Sequence, residues 1–223
     1  MRAIIIILIS INLSFSQNLV PNSSFEDVNF DYCGYFPTTA KFESAIMHWL
    51  TPTQSRPIIL SKKLNNDCWS YPETSPKNGI RMASLCFFSP TSNFRSYLEV
   101  ELLEPLVPEN TYYVKIWIRN SHQSQPSCNN IGMYFSDTLI RDSTIFNLNL
   151  TPQVNFLEVV KNASNWVCLE SSFKAKSRAK YLLIGNFFTN ENTHTEKTME
   201  SSFSDEATFY YLDDIYVGNK PQN

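Results

Sequence analysis

Glycine is the first scarcity: five among 223 residues. None lies in a Gly-x-Ser-x-Gly elbow or in a glycine loop able to cradle phosphate, so acyl-transfer and nucleotide chemistry find no recognisable motif. Charge is the second. Charged residues make up 17% of the chain and the formal net charge is −3. No stripe of lysine and arginine gathers anywhere, so nucleic acid is not expected as a partner. The five cysteines, Cys33, Cys68, Cys86, Cys128 and Cys168, include no Cys-x-x-Cys spacing, which leaves zinc without a framework. The three histidines, His48, His122 and His194, sit in polar contexts with nothing tying any of them to a cysteine. They read as surface residues rather than parts of a Cys–His pair. Beyond residue 16, no apolar run approaches the ~20 residues that a membrane-crossing helix needs. Apolar residues at 3.6 spacing are also missing, so helix is expected to be minor.

What is present starts with a leader. Met1 and Arg2 form a short basic start, and residues 3–11 are apolar. Ser14 and Ser16 stand at the −3 and −1 positions of a cut before Gln17. This is a secretory signal peptide pattern over residues 1–16. Losing it removes Arg2 and takes the net charge from −3 to −4. The exported chain is expected outside the cytoplasm: extracellular, on the outer cell surface or in the periplasm. Export permits disulfides. Cys33 and Cys68 bracket a loop-rich stretch and are the expected bridge. An odd cysteine count leaves at least one thiol free or paired between chains.

The rest reads as β-structure. Leu98, Val100 and Leu102 alternate with Glu99 and Glu101, a period of two with one face buried and one wet. Residues 112–119 alternate most clearly. Tyr112, Val114, Ile116 and Ile118 share one face; Tyr113, Lys115, Trp117 and Arg119 share the other. The short connection holding Pro105 and Pro108 suggests that these two runs pair antiparallel. Further strands are expected over 131–135, 167–173, 181–188 and 208–217, with a close backbone approach at Gly185. Loops are expected over 29–78, 120–130 and 189–206. One β-sandwich over 17–217 with a short tail at 218–223 accounts for the whole pattern.

The two ends of this region carry a resemblance. The opening Asn18-Leu19-Val20-Pro21-Asn22-Ser23-Ser24-Phe25-Glu26 and the closing Tyr210-Tyr211-Leu212-Asp213-Asp214-Ile215-Tyr216-Val217 resemble the first and last strands of galactose-binding-like jelly-roll modules. Many carbohydrate-binding modules have that fold. The chain also resembles a surface domain of exported Bacteroidetes-type proteins, sometimes found upstream of OmpA-like domains. The matching segments are Trp49-Leu50-Thr51-Pro52-Thr53, Leu102-Leu103-Glu104-Pro105-Leu106, residues 130–136, Pro152-Gln153-Val154, Trp166 and Ile184-Gly185-Asn186-Phe187. The family has glycine in place of Ser23, and a Gly and Asp-Tyr-Phe where this chain has Arg56-Pro57-Ile58-Ile59. The resemblance implies an all-β jelly roll. It also implies one structural Ca2+ held by Glu26 with Asp213 or Asp214, since calcium takes six to eight hard oxygens.

Two surfaces then compete for function. Tyr113, Trp117 and Arg119, rimmed by Trp69 and Tyr71 from the long loop, form a candidate sugar platform, because aromatic rings match the apolar faces of sugars while offering polar edges. Glu99 and Glu101 are a carboxylate pair of the type glycosidases use, but their alternation reads as the wet side of a strand. The expected function is therefore a non-catalytic binding module for carbohydrate. The alternative is a structural or adhesive surface domain whose partner is protein or cell wall, and a glycan-active hydrolase comes last.

Overall fold

The computed structural model describes residues 17–32, 35–62, 75–121, 126–161, 164–197 and 207–222. The signal peptide stretch, Cys33, Cys68, Trp69, Tyr71 and His122 lie outside the described residues. Among those described, one short helix, α1 (Thr39–Ala45), precedes a run of strands. These are β1 (Trp49–Leu50), β2 (Ile58–Ser61), β3 (Arg81–Phe88), β4 (Leu98–Glu101), β5 (Thr111–Asn120) and β6 (Ser127–Cys128). After them come β7 (Ile131–Ser136), β8 (Val154–Phe156), β9 (Val167–Lys174), β10 (Tyr181–Gly185), β11 (Thr195–Glu196) and β12 (Thr208–Gly218). One sheet has the order β1-β4-β10-β7-β8 and the other β2-β3-β12-β5-β9, each five-stranded, with a small β11-β6 pair beside them. Successive long strands cross between the two sheets, and every strand pair is antiparallel. This is an all-β jelly-roll sandwich.

The core lies where the alternating faces meet. Tyr112, Val114, Ile116 and Ile118 of β5 point inward with Leu98 and Val100 of β4, Leu182 and Ile184 of β10, and Leu212, Ile215 and Val217 of β12. One apolar cluster runs from Leu19 to Val217, so the two ends of the described chain contribute to the same core. They also bond directly. Leu19 N–H donates to Val217 O at 2.7 Å, Ile215 N–H to Ser23 O at 3.1 Å, and the Asn18 amide both donates to Ile215 O and accepts from Val217 N–H. The opening segment is thus a strap along β12 rather than a regular strand. Its positive φ angles fall at Asn22 (49°) and Phe25 (61°), not at Ser23. Asn22 tolerates the left-handed region, whereas Phe25 is held there by burial.

Several sequence expectations change. The runs around β4 and β5 do not pair: β4 lies between β1 and β10, and β5 between β12 and β9. The connection between them crosses from one sheet to the other instead of turning back. Strand β3 gave no alternating signal because all eight of its residues are buried; a strand covered on both faces loses its period of two. The stretch 29–78 is not loop throughout, since it holds α1, β1 and β2. β10 ends at Gly185, earlier than the apolar run. The close approach at that glycine is present: a Cβ there would lie 2.3 Å from the Tyr97 ring.

Candidate functional site

Three places draw together the residues singled out by sequence. The first is the closure of the sandwich. Glu26 and Asp213 both hold the segment that leads into β3. Glu26 Oε1 accepts from the Ile80 and Arg81 N–H groups, each at 2.8 Å, and Asp213 Oδ2 accepts from Asn78 N–H at 2.9 Å. Asp214 points elsewhere. It sits at a register shift with φ 47°, and its carboxylate faces Lys115 Nζ at 4.0 Å. Burial pushes the Asp213 carboxyl up to about 7, against the backbone N–H groups of Asn78, Asp214 and Lys77. A calcium ion requires oxygens with lone pairs turned toward it. Both oxygens of Glu26 and both of Asp213 instead receive N–H donors, with the Arg81 guanidinium 3.3 Å from Glu26 Oε2. This donor set does not fit calcium. No group of three or more His, Cys, Asp or Glu gathers as a metal cluster among the described residues.

The second place is the outer face of β5. Tyr113, Lys115 and Trp117 alternate with the buried residues and stay partly exposed, with the Lys115 side chain at 13%. Opposite them on the edge strand β9 stand Ser172, Glu170 and Cys168 in the same order. Tyr113 and Trp117 are four positions apart, which at strand rise spaces the rings by about 13 Å. Lys77 Nζ lies 3.9 Å from the Trp117 ring centroid. Arg119 is only 4% exposed, flanked by the Trp166 and Tyr211 rings at 5.4 and 5.6 Å. Burial lowers its pKa. Arg119 therefore closes the end of the strip from beneath, while Tyr113 and Trp117 form its open surface. The Cys168 thiol, half-exposed beside Trp117, is pushed up to about 11 by partial burial and by Glu170. Its raised pKa keeps it a thiol at neutral pH, which argues against a catalytic nucleophile.

The third place was not read from the sequence. The connection 137–153, between β7 and β8, lies across the outer face of the β1-β4-β10-β7-β8 sheet. Leu148 packs there with Tyr97, Leu183 and Phe187. Backbone bonds stitch the connection down on one side at Pro52 and Gln54, and on the other at Asn93 and Arg95. Glu99 lies under this cover with no exposed surface, while Glu101 remains exposed. The wet side expected for both carboxylates holds for Glu101 alone. Glu99 Oε1 accepts from Ile140 N–H at 3.0 Å, and burial pushes its carboxyl up to about 7.

Arg141 bridges outward from Glu99. Its guanidinium is 3.7 Å from Glu99 and 3.2 Å from Glu43 on α1, and it donates to Thr51 O at 3.0 Å. Above it opens a polar cleft of about 230 Å³, lined by Glu43, Thr51, Thr53, Gln54, Arg141 and Asp142 among others. One wall of this cleft is formed by Thr51, Pro52 and Thr53, part of the segment that carried the family resemblance in the sequence. Glu43 and Arg141 carried no local signal, because their partners are far away in the chain. A general acid must reach its substrate. Glu99 does not reach solvent, so the group anchors the 137–153 cover rather than acting on a ligand.

No family model and no curated protein matches this sequence. Solved structures of similar fold include a family 61 carbohydrate-binding module in complex with β-1,4-galactotriose, at 11% identity and TM-score 0.44, covering 92% of this chain and 100% of that one. A Stig cyclase from Fischerella sp. TAU is similar at 14% identity and TM-score 0.48, covering 94% and 99%. The family 22 xylan-binding domain of Paenibacillus barcinonensis Xyn10C is similar at 12% identity and TM-score 0.39, covering 78% and 87%.

Proposed function

We propose that this chain is an exported, non-catalytic binding module for carbohydrate, and that glycan lies along the β5 strip of Tyr113, Lys115 and Trp117. One observation carries the reading: two partly exposed aromatic rings stand on the outer face of a rigid sheet with Lys115, Glu170 and Ser172 between and beside them. Rings of this kind offer apolar faces to sugar C–H groups, and the intervening charges and hydroxyls bond sugar hydroxyls. The strip suits a short stretch of chain rather than one enclosed sugar. Lys77 covers the Trp117 ring in the free protein, and displacing it costs about 0.5–1 kcal/mol, the usual worth of an exposed cation–π contact. A stacked sugar ring offsets that loss.

The test is retention on insoluble polysaccharides and on a glycan array, comparing wild type with Trp117→Ala and Tyr113→Ala. Trp117→Ala is expected to lower affinity at least tenfold, and Tyr113→Ala by less. Equal retention by all three proteins would remove the strip from the account.

Cys168 favours a second reading. A half-exposed thiol on the edge strand β9 suits an adhesive surface domain joined to protein or cell wall. A covalent dimer on non-reducing gels that disappears in Cys168→Ser would support this reading over the first.

A further inference from the structure

We propose that Arg81 occupies the role of a divalent cation at the closure of this sandwich, so that the fold is locked without metal. The inference stands independently of the glycan reading.

Gly79 sets the geometry of the turn before β3. Its φ is +62°, and a Cβ there would lie 2.3 Å from Glu26 Oε1. A glycine at this point lets the chain turn tightly against the glutamate. The turn aims successive main-chain N–H groups at carboxylates: Asn78 at Asp213, then Ile80 and Arg81 at Glu26. Arg81 follows as the first residue of β3 and is 4% exposed. Its fork is engaged on both sides. Nε donates to Asp31 Oδ1 at 3.1 Å, Nη2 pairs with the same oxygen, and Nη1 lies 3.3 Å from both the Glu26 backbone oxygen and Glu26 Oε2.

The charges therefore meet one guanidinium and a set of N–H dipoles. A cation brought to this place would face the positive ends of those dipoles and an arginine already seated between Glu26 and Asp31. Like charge at that range is unfavourable in a partly buried setting. A guanidinium supplies fixed, directional donors and matches two carboxylates at once. Its partners lie 50 and 55 positions away in the chain, and Asp213 lies 135 from Asn78. The latch thereby joins the opening strap, the start of β3 and the central strand β12, segments that are far apart in the chain. A covalently attached cation does not dissociate when free calcium falls. Stability and ligand binding are then indifferent to chelators.

The experiment uses purified wild-type protein in calcium chloride and in EDTA, followed by thermal unfolding and by calorimetric titration with calcium. The expected result is one Tm in both buffers and no saturable isotherm. A calcium ion present at a hundred times its dissociation constant would raise Tm by roughly 5–10 °C in a chain of this size. Such a rise, or an isotherm abolished by Asp213→Asn, overturns the proposal. Arg81→Lys keeps the charge and loses the fork; its Tm is expected to fall by roughly 5 °C or more. An unchanged Tm in that variant also overturns the proposal. The wild-type comparison needs no variant to fold.

Discussion

The outer faces of the two sheets meet water differently. On the β1-β4-β10-β7-β8 sheet the connection 137–153 lies across the face, Leu148 seals against Tyr97, Leu183 and Phe187, and Glu99 is wholly buried. On the β2-β3-β12-β5-β9 sheet, Tyr113, Lys115 and Trp117 of β5 remain partly exposed. Both strands alternate in the same way, and both turn their second set of residues away from the core. Alternation tells which residues leave the core. Whether they then reach water depends on what else lies over the sheet. The covered face has become a second small core. On the other sheet β3 and most of β12 are also buried on both faces, and the β5–β9 edge is what stays partly in water.

The largest expected effect comes from uncovering the closed face. Leu148→Ala removes a buried side chain from that small core and is expected to destabilise the protein by about 2–5 kcal/mol. Urea unfolding measures it. A cost below about 1 kcal/mol would mean that 137–153 rests on the sheet without sealing it. The next effect concerns the buried carboxylate. Burial raises the Glu99 carboxyl from 4.5 to about 7, so the folded state keeps a proton that the unfolded chain releases. The associated stability is full below the unfolded pKa and is lost as pH rises through about 7. Asp213 acts in the same direction, from 3.8 to about 7. Wild type is therefore expected to be more stable at pH 5 than at pH 8. Glu99→Gln keeps an acceptor for Ile140 N–H and cannot ionise, and should reduce that difference by on the order of 2 kcal/mol. Identical pH dependence in the two proteins would show that Glu99 does not titrate under its cover. The smallest stability effect belongs to the β5–β9 edge. Trp117→Ala should cost well under Leu148→Ala in urea, about 1 kcal/mol, because Trp117 lies on the surface and is only partly buried. A larger loss would move Trp117 from the binding surface into the core.

The legible parts of this protein were the local ones. Tyr112, Val114, Ile116 and Ile118 announced the inner face of β5 by period alone. Gly185 announced the close approach that Tyr97 makes. The resemblance of the opening and closing segments put Glu26 with Asp213 or Asp214 on one calcium ion. In the structure Glu26 and Asp213 each accept N–H groups from the turn before β3 instead, and Asp214 faces Lys115. Their chemistry there was not legible. It depends on Arg81, which no spacing connects to Glu26 or Asp31. Strand β3 escaped notice for a related reason, since burial on both sides erases the alternation that marks a strand. Glu99 looked wet because its period matched Glu101, and nothing near it in sequence foretold that residue 140 would return to cover it.

By itself, then, the sequence determined the all-β class and the inward sets of the strands, because those follow from side-chain period and from turn chemistry within a few residues. The meeting of the two ends was implied only by the resemblance of the opening and closing segments to jelly-roll modules. Tertiary structure alone decided that β4 and β5 enter different sheets, that one outer face is sealed while the β5–β9 edge of the other stays partly exposed, and that the Arg81 guanidinium is seated between Glu26 and Asp31. Each of those outcomes depends on contacts between residues roughly forty to more than a hundred positions apart. Such contacts form only once the sheets have brought their partners within hydrogen-bonding distance.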